Sequence, residues 1–189
     1  EVTVASYEAC VANGACQSAS THTGCTADLG DSELPINCVS WLEAYDFARW
    51  IGGSLPSEAQ WAYAALSAGQ TQRFPWGEEE ASCAHAVTEG CASEAQIVCS
   101  VRGGESAQTL CDLIGNVAEW TGDDWHDDYE GAPTDEQSWL SPHNPGESLW
   151  TTPQPAKVVR GGSYLGSIDT ARTRFRARHD RGSREVGFR

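Results

Sequence analysis

Eight cysteines, five histidines and 27 acidic side chains are the groups in this 189-residue chain with the means to do chemistry. The cysteines fall at Cys10, Cys16, Cys25, Cys38, Cys83, Cys91, Cys99 and Cys111. No two have the CxxC spacing of a zinc ribbon or a thioredoxin-type redox site. The even count and the two clusters, 10–38 and 83–111, read instead as disulfide staples in two loop-rich regions, with the pairing left open. Each such bond contributes about 2 to 4 kcal/mol and persists only in an oxidising compartment. The chain is therefore expected to be secreted, periplasmic or at a cell surface. His22, His85, His126, His143 and His179 are scattered, with no pair at helical spacing, and each reads as a surface or internally satisfied residue. No nucleophile motif accompanies them for Ser–His–Asp chemistry. The run GDDWHDDYE (122–130) offers carboxylates for an acid–base pair, and a solvated acidic loop is the simpler reading.

Charge is distributed unevenly. The net charge is −15, which excludes nucleic acid and anionic membranes as main partners, since phosphate binding needs a basic surface. Nine of the 12 cations nevertheless lie between Lys157 and Arg189, where only Asp169, Asp180 and Glu185 oppose them. The last 33 residues carry +6 and the first 156 carry −21. Either the cationic segment pairs internally with the acidic body, or it forms a surface for an acidic or polar ligand. Arg172, Arg174, Arg176 and Arg178 alternate, so on a strand they share one face. At least two of them are expected to find internal carboxylates. No apolar run approaches the roughly 18 to 20 residues that cross a bilayer.

The elements that must position these groups are readable in part. A helix is expected from Thr3, with Tyr7, Cys10 and Val11 on one face and Asn13-Gly14 as its stop. Residues 14–35 read as a stapled loop. Ser40 with Glu43, and Ser57 with Gln60, form two capping boxes, each followed by an apolar helical stripe. Residues 70–110 show little period. The segment 111–120 reads as an apolar turn and strand around Gly115-Asn116, and 121–156 as loop. Strands are expected in AKVVRGGSY, in TARTRFRARHD and over 186–188. The whole reads as a single α+β domain over 1–189.

Several ordered blocks carry a family resemblance. They are EVTVASYEACV, PINCVSWLEAYDFARWIGGSLPSEAQWAYAA, RFPWGEE, LCDLIGNVAEWTGDDW, KVVRGGSY, RFRARHD and the terminal VGFR, and together they span nearly the whole chain. The set resembles the formylglycine-generating enzyme family, the sulfatase-modifying factors. The resemblance implies a variant of the C-type lectin-like fold, with small twisted antiparallel sheets, two main helices and long loops. The family's usual N-terminal hairpin is missing before Glu1, so the chain reads as a trimmed or remodelled piece of a longer precursor. Matched residue by residue, the family's calcium loop falls on Asp112 and Glu119 as side-chain ligands and on Gly115 and Val117 as carbonyl ligands, all oxygen donors suited to a hard cation. The alternative is that Asp112 and Glu119 cap a turn or pair with an arginine. The family's second calcium site has His85 where an asparagine ligates, a poor exchange for calcium.

The family's oxidation of cysteine to formylglycine uses copper held by two cysteines, and those positions are Gly166 and Ala171 here. No cysteine follows Cys111. The reading that results is a non-catalytic, exported ligand-binding or adhesion module, stabilised by calcium and disulfides and recognising a protein or glycan. Its ligand face, as the fold implies, comprises Trp125, Tyr164, Ser167, Arg174, Arg178 and His179. Two alternatives are an oxidoreductase of the family with a rebuilt site, and a structural subunit that self-associates through the same surface.

Overall fold

The protein is described by a computed structural model covering residues 1–142 and 148–189. His143 lies outside the described residues. Three helices form where the caps place them. Helix α1 (Val4–Ala12) starts at Thr3, whose hydroxyl accepts from the Ser6 N–H at 3.2 Å, and it stops at Asn13. Helices α2 (Trp41–Trp50) and α3 (Glu58–Ala65) both carry complete capping boxes. In α2, the Ser40 N–H donates to Glu43 at 2.6 Å while the Glu43 N–H donates to the Ser40 hydroxyl. Each cap offsets helix-end N–H groups that would otherwise lack a partner. No described helix is long and apolar enough to cross a membrane.

A four-stranded sheet comprises β1 (Ala118–Asp124), β2 (Lys157–Arg160), β3 (Arg176–His179) and β4 (Val186–Gly187), in the order β3-β2-β1-β4. The β1–β2 and β2–β3 pairs are antiparallel, whereas β4 runs parallel to β1, so the sheet is mixed. Helices α1 and α2 pack over it through Tyr7, Phe47 and Phe188, whose rings lie 5.3 to 6.3 Å apart, together with Trp120, Val159 and Val186. Trp61 of α3 seeds a second core with Leu113, Ile114 and Ala171.

Two elements differ from their sequence pattern. Strand β1 continues to Asp124, into the segment expected to be loop, because tertiary partners answer its polar residues. Thr121 donates to the Val158 carbonyl, and Asp123 accepts the backbone N–H of Glu58 (2.6 Å) and of Trp139 (2.9 Å). Conversely, β3 keeps only four residues of the long strand expected over 170–180. The Phe175 N–H turns back to the Arg172 carbonyl, Ala171 is buried, and Thr173 is tied to the Arg73 carbonyl by its hydroxyl. Arg172, Arg174, Arg176 and Arg178 consequently do not share one strand face. Arg172 pairs with exposed Asp169, and only Arg176 reaches an internal carboxylate; Arg174 and Arg178 have none among the described residues.

Four of the nine cations in the C-terminal segment nonetheless pair with carboxylates of the acidic body. Lys157 meets Asp124 at 2.5 Å, Arg160 meets Glu58 at 2.6 Å and Arg189 meets Glu119 at 2.6 Å. Arg176 clasps Glu58 with two 2.9 Å bonds. Glu58, at the first position of α3, thus holds two guanidinium groups and the Tyr129 hydroxyl (2.9 Å), and Arg160 also donates to the Thr173 carbonyl. Removing one partner of such a cluster leaves uncompensated buried charge.

A tight turn precedes β1. Gly115 (φ +79°) and Asn116 (φ +58°) are both left-handed, and a Cβ on Gly115 would strike the Val87 carbonyl oxygen.

Glu58→Gln is expected to cost about 3 to 5 kcal/mol in chemical denaturation, since two buried cations lose their shared anion. Gly115→Ala is expected to cost more than about 2 kcal/mol by the same measurement, because both its backbone angle and its contact are forbidden to a side chain.

Candidate functional site

The turn after Arg160 decides which of the expected ligand residues reach the surface. Gly161 and Gly162 are both left-handed (φ +91° and +73°), and a Cβ on Gly162 would lie 2.9 Å from the Thr170 carbonyl oxygen. This turn sends Tyr164 into the core beside Val87, Ala95 and Val117. Tyr164 is 3% exposed, so it belongs to the core and not to a ligand surface. The two positions matched to copper-binding cysteines are closely packed. A Cβ on Gly166 would approach the Thr170 hydroxyl to 2.7 Å, and Ala171 is buried with Trp61, Ala65 and Ala86. The eight cysteines form four sequential disulfides, Cys10–Cys16, Cys25–Cys38, Cys83–Cys91 and Cys99–Cys111, leaving no free thiol.

Of the expected ligand residues, Trp125 and Arg178 come together. They line an open cleft of about 530 Å³ with His126, Trp139, Asp127 and Asp128. Strand β1 delivers Trp125 at its end, and β3 delivers Arg178 from the sheet edge. The His126 and Trp139 rings stack at 3.6 Å with planes 4° apart, a flat aromatic wall. Trp125 is oriented twice: its indole N–H donates to Asp127 at 2.8 Å, and the Arg176 guanidinium lies 4.4 Å from its ring centre. Tyr129 flanks the same guanidinium at 4.6 Å, and Arg176 also donates to the His126 carbonyl at 2.7 Å. The cleft therefore offers aromatic surface, carboxylates and one exposed arginine without an ion-pair partner among the described residues. Such a mixture suits stacking and hydrogen bonding to a polar ligand.

The other expected residues lie apart. His179 packs edge-on against Trp120, at 6.1 Å between ring centres. Ser167 is exposed in the turn closed by Thr170, and Arg174 lines a separate notch with Arg73 and Arg172. His126 and Trp139 are additions that the sequence reading did not select. They stand 13 positions apart in an acidic loop, and no period links them.

Asp112 and Glu119 are brought to one region together with Glu1. The Glu119 carboxylate is fully buried and accepts from Trp61 Nε1 (2.6 Å) and from Arg189 Nε (2.7 and 2.8 Å). Asp112 accepts the Cys99 N–H at 2.5 Å. Glu1 accepts from the Val117 N–H and from the Asn116 side chain. Burial, reinforced by Asp112 and Glu119, pushes the Glu1 carboxyl up to about 8, and burial also raises Asp112. Arg189 and the Glu1 amino group supply positive charge beside these carboxyl groups. In donor type, all oxygen, the cluster fits a hard cation, although Arg189 already occupies Glu119. His85 is stacked on Trp76 at 5.0 Å between ring centres and bonded to Ser82.

Comparison with known proteins agrees with this architecture. The description of the sulfatase-modifying factor enzyme 1-like domain matches residues 1–189. The formylglycine-generating enzyme of Streptomyces coelicolor is 33% identical over 159 residues, covering 75% of this chain and 46% of its own length. The hercynine oxygenase of Mycolicibacterium smegmatis is 32% identical over 145 residues, covering 75% and 33%. The chain thus spans less than half the length of these relatives. Among solved structures, PvdO from Pseudomonas aeruginosa superposes with a TM-score of 0.78 at 27% identity, covering 100% of this chain and 76% of that one. The three helices, the curled sheet and the long loops are those of the C-type lectin-like fold as this family builds it, and the chain belongs to the sulfatase-modifying factor enzyme 1-like family.

Proposed function

We propose that the chain is a non-catalytic, exported ligand-binding module that presents the Trp125 cleft to a protein or glycan. One observation carries this reading: no thiolate is left to hold a soft copper(I) ion. The matched positions are Gly166 and buried Ala171, and every cysteine is committed to a disulfide. Four disulfides also support an oxidising destination. In the cleft, the Trp125 indole and the His126–Trp139 wall supply flat surfaces for a sugar ring or an aromatic side chain. Arg178 and the neighbouring carboxylates supply the directional contacts. The names of the relatives support a second reading, an oxidoreductase with a rebuilt site.

Calcium enters the proposal as a structural ion. Asp112, Glu119 and the Gly115 and Val117 carbonyls would hold it, and it would supply positive charge to the acidic cluster and pin the turn into β1. It has no redox part.

Incubation of the disulfide-bonded chain with copper(I) and a cysteine peptide separates the two functional readings. The expected result is no stoichiometric copper and no aldehyde, with glycan or protein array hits weakened about tenfold or more by Trp125→Ala and Arg178→Ala. Stoichiometric copper or aldehyde formation would establish the enzyme reading instead. For calcium, millimolar ion is expected to raise the melting temperature by about 5 °C or more, and Asp112→Ala to abolish that rise. An unchanged melting temperature would leave Arg189 as the counter-charge and sink the calcium assignment.

A further inference from the structure

Pro155 borders the Trp125 cleft and also a second groove, of about 440 Å³, whose floor is built differently. Tyr45, Leu140, Leu149 and Pro153 form apolar walls, and Trp41, Asp124 and Lys157 line it as well. The Lys157 and Asp124 side chains are 5% and 4% exposed. The Lys157 ammonium lies 2.5 Å from Asp124 Oδ1 and 3.7 Å from the centre of the Trp41 ring. Asp124 Oδ2 is already taken by the Ser141 N–H at 2.6 Å, and the Trp41 indole N–H by the Thr121 carbonyl at 2.7 Å. An ammonium carries three donors. Among the described residues, Lys157 has one oxygen acceptor and the face of the Trp41 ring, so its third N–H lacks an acceptor beside an apolar groove.

That arrangement selects a chemistry. An unfilled donor on a buried cation favours a ligand that brings an acceptor. The Lys157–Asp124 pair is already neutral and the chain as a whole carries −15, so nothing here calls for a second full negative charge. The walls call for an aromatic or aliphatic body, and the volume is in the range of small-molecule sites. We propose that this groove is a second binding site, for an uncharged small molecule with an apolar body and a carbonyl oxygen that caps the Lys157 ammonium. It is independent of the Trp125 cleft, whose lining is acidic and open.

The test uses the full, disulfide-bonded chain and follows indole N–H signals by NMR during titration with N-acetyl-L-phenylalaninamide, N-acetyl-L-leucinamide and N-acetyl-L-tryptophanamide. At least one amide is expected to shift the Trp41 signal saturably while leaving Trp125 unmoved. Phenylacetate, which adds a full charge, is expected to bind more weakly. Lys157→Met is expected to weaken the amide about tenfold. Should that variant fail to fold, Lys157→Arg and the wall variant Leu140→Ala replace it, each expected to lower affinity by a few-fold or more. No Trp41 shift by any amide up to about 10 mM, or binding indifferent to the folded variants, would overturn the site.

Discussion

Glu58 accepts from two guanidinium groups and a phenol while its own backbone N–H is held by Asp123, so the first turn of α3 is tied at once to β1, β2 and β3. Burying so much charge is costly, and the attraction offsets that cost only when the geometry is good. Here Arg176 supplies both bonds of a bidentate fork, and Arg160 comes in from the neighbouring strand. The same Arg176 guanidinium lies between Trp125 and Tyr129. The carboxylate that fixes the helix to the sheet therefore also fixes one wall of the cleft. Cleft and scaffold share a single joint.

The contrast between an acidic body and a basic C-terminal segment has its physical explanation in this joint and its neighbours. Four cations of the segment, Lys157, Arg160, Arg176 and Arg189, are answered by carboxylates of α3 and β1. These partners lie roughly 30 to 120 positions apart in sequence, so each pair closes a long loop, at an entropic cost that grows only slowly with length. Arg174 and Arg178 remain outside this pairing and exposed, one in a notch and one in the cleft. Four of the nine cations thus serve internal cohesion, Arg172 and Arg181 lie beside Asp169 and Asp180 of the same segment, and Arg174, Arg178 and Arg184 have no ion pair among the described residues.

The disulfides act on a different part of the molecule. Each bridges cysteines 6 to 13 positions apart; Cys10 lies in α1, and the other seven lie outside the α-helices and strands. They constrain the unfolded chain locally, whereas the ion pairs and the apolar cores join distant segments. Because every sulfur is used in this way, the chain's resources for soft-metal chemistry are spent on structure, while its oxygen donors remain grouped at the turn into β1.

What the sequence by itself determined was local. Both capping boxes, the Thr3 start and Asn13 stop of α1, and the clustering of cysteines into two stapled regions are encoded within a few residues, and the structure has them where the pattern puts them. Tertiary structure decided the rest. Thr121, Asp123 and Asp124 look like loop residues until partners from α3, β2 and the 139–141 segment make them a buried strand. Tyr164 looks available for stacking until two left-handed glycines turn it inward, and His126 meets Trp139 only because the acidic loop folds back on itself. Periodicity reports which face of an element is apolar. It carries no information on which distant side chain will satisfy a buried polar group, and in this protein those long-range pairings shape the site.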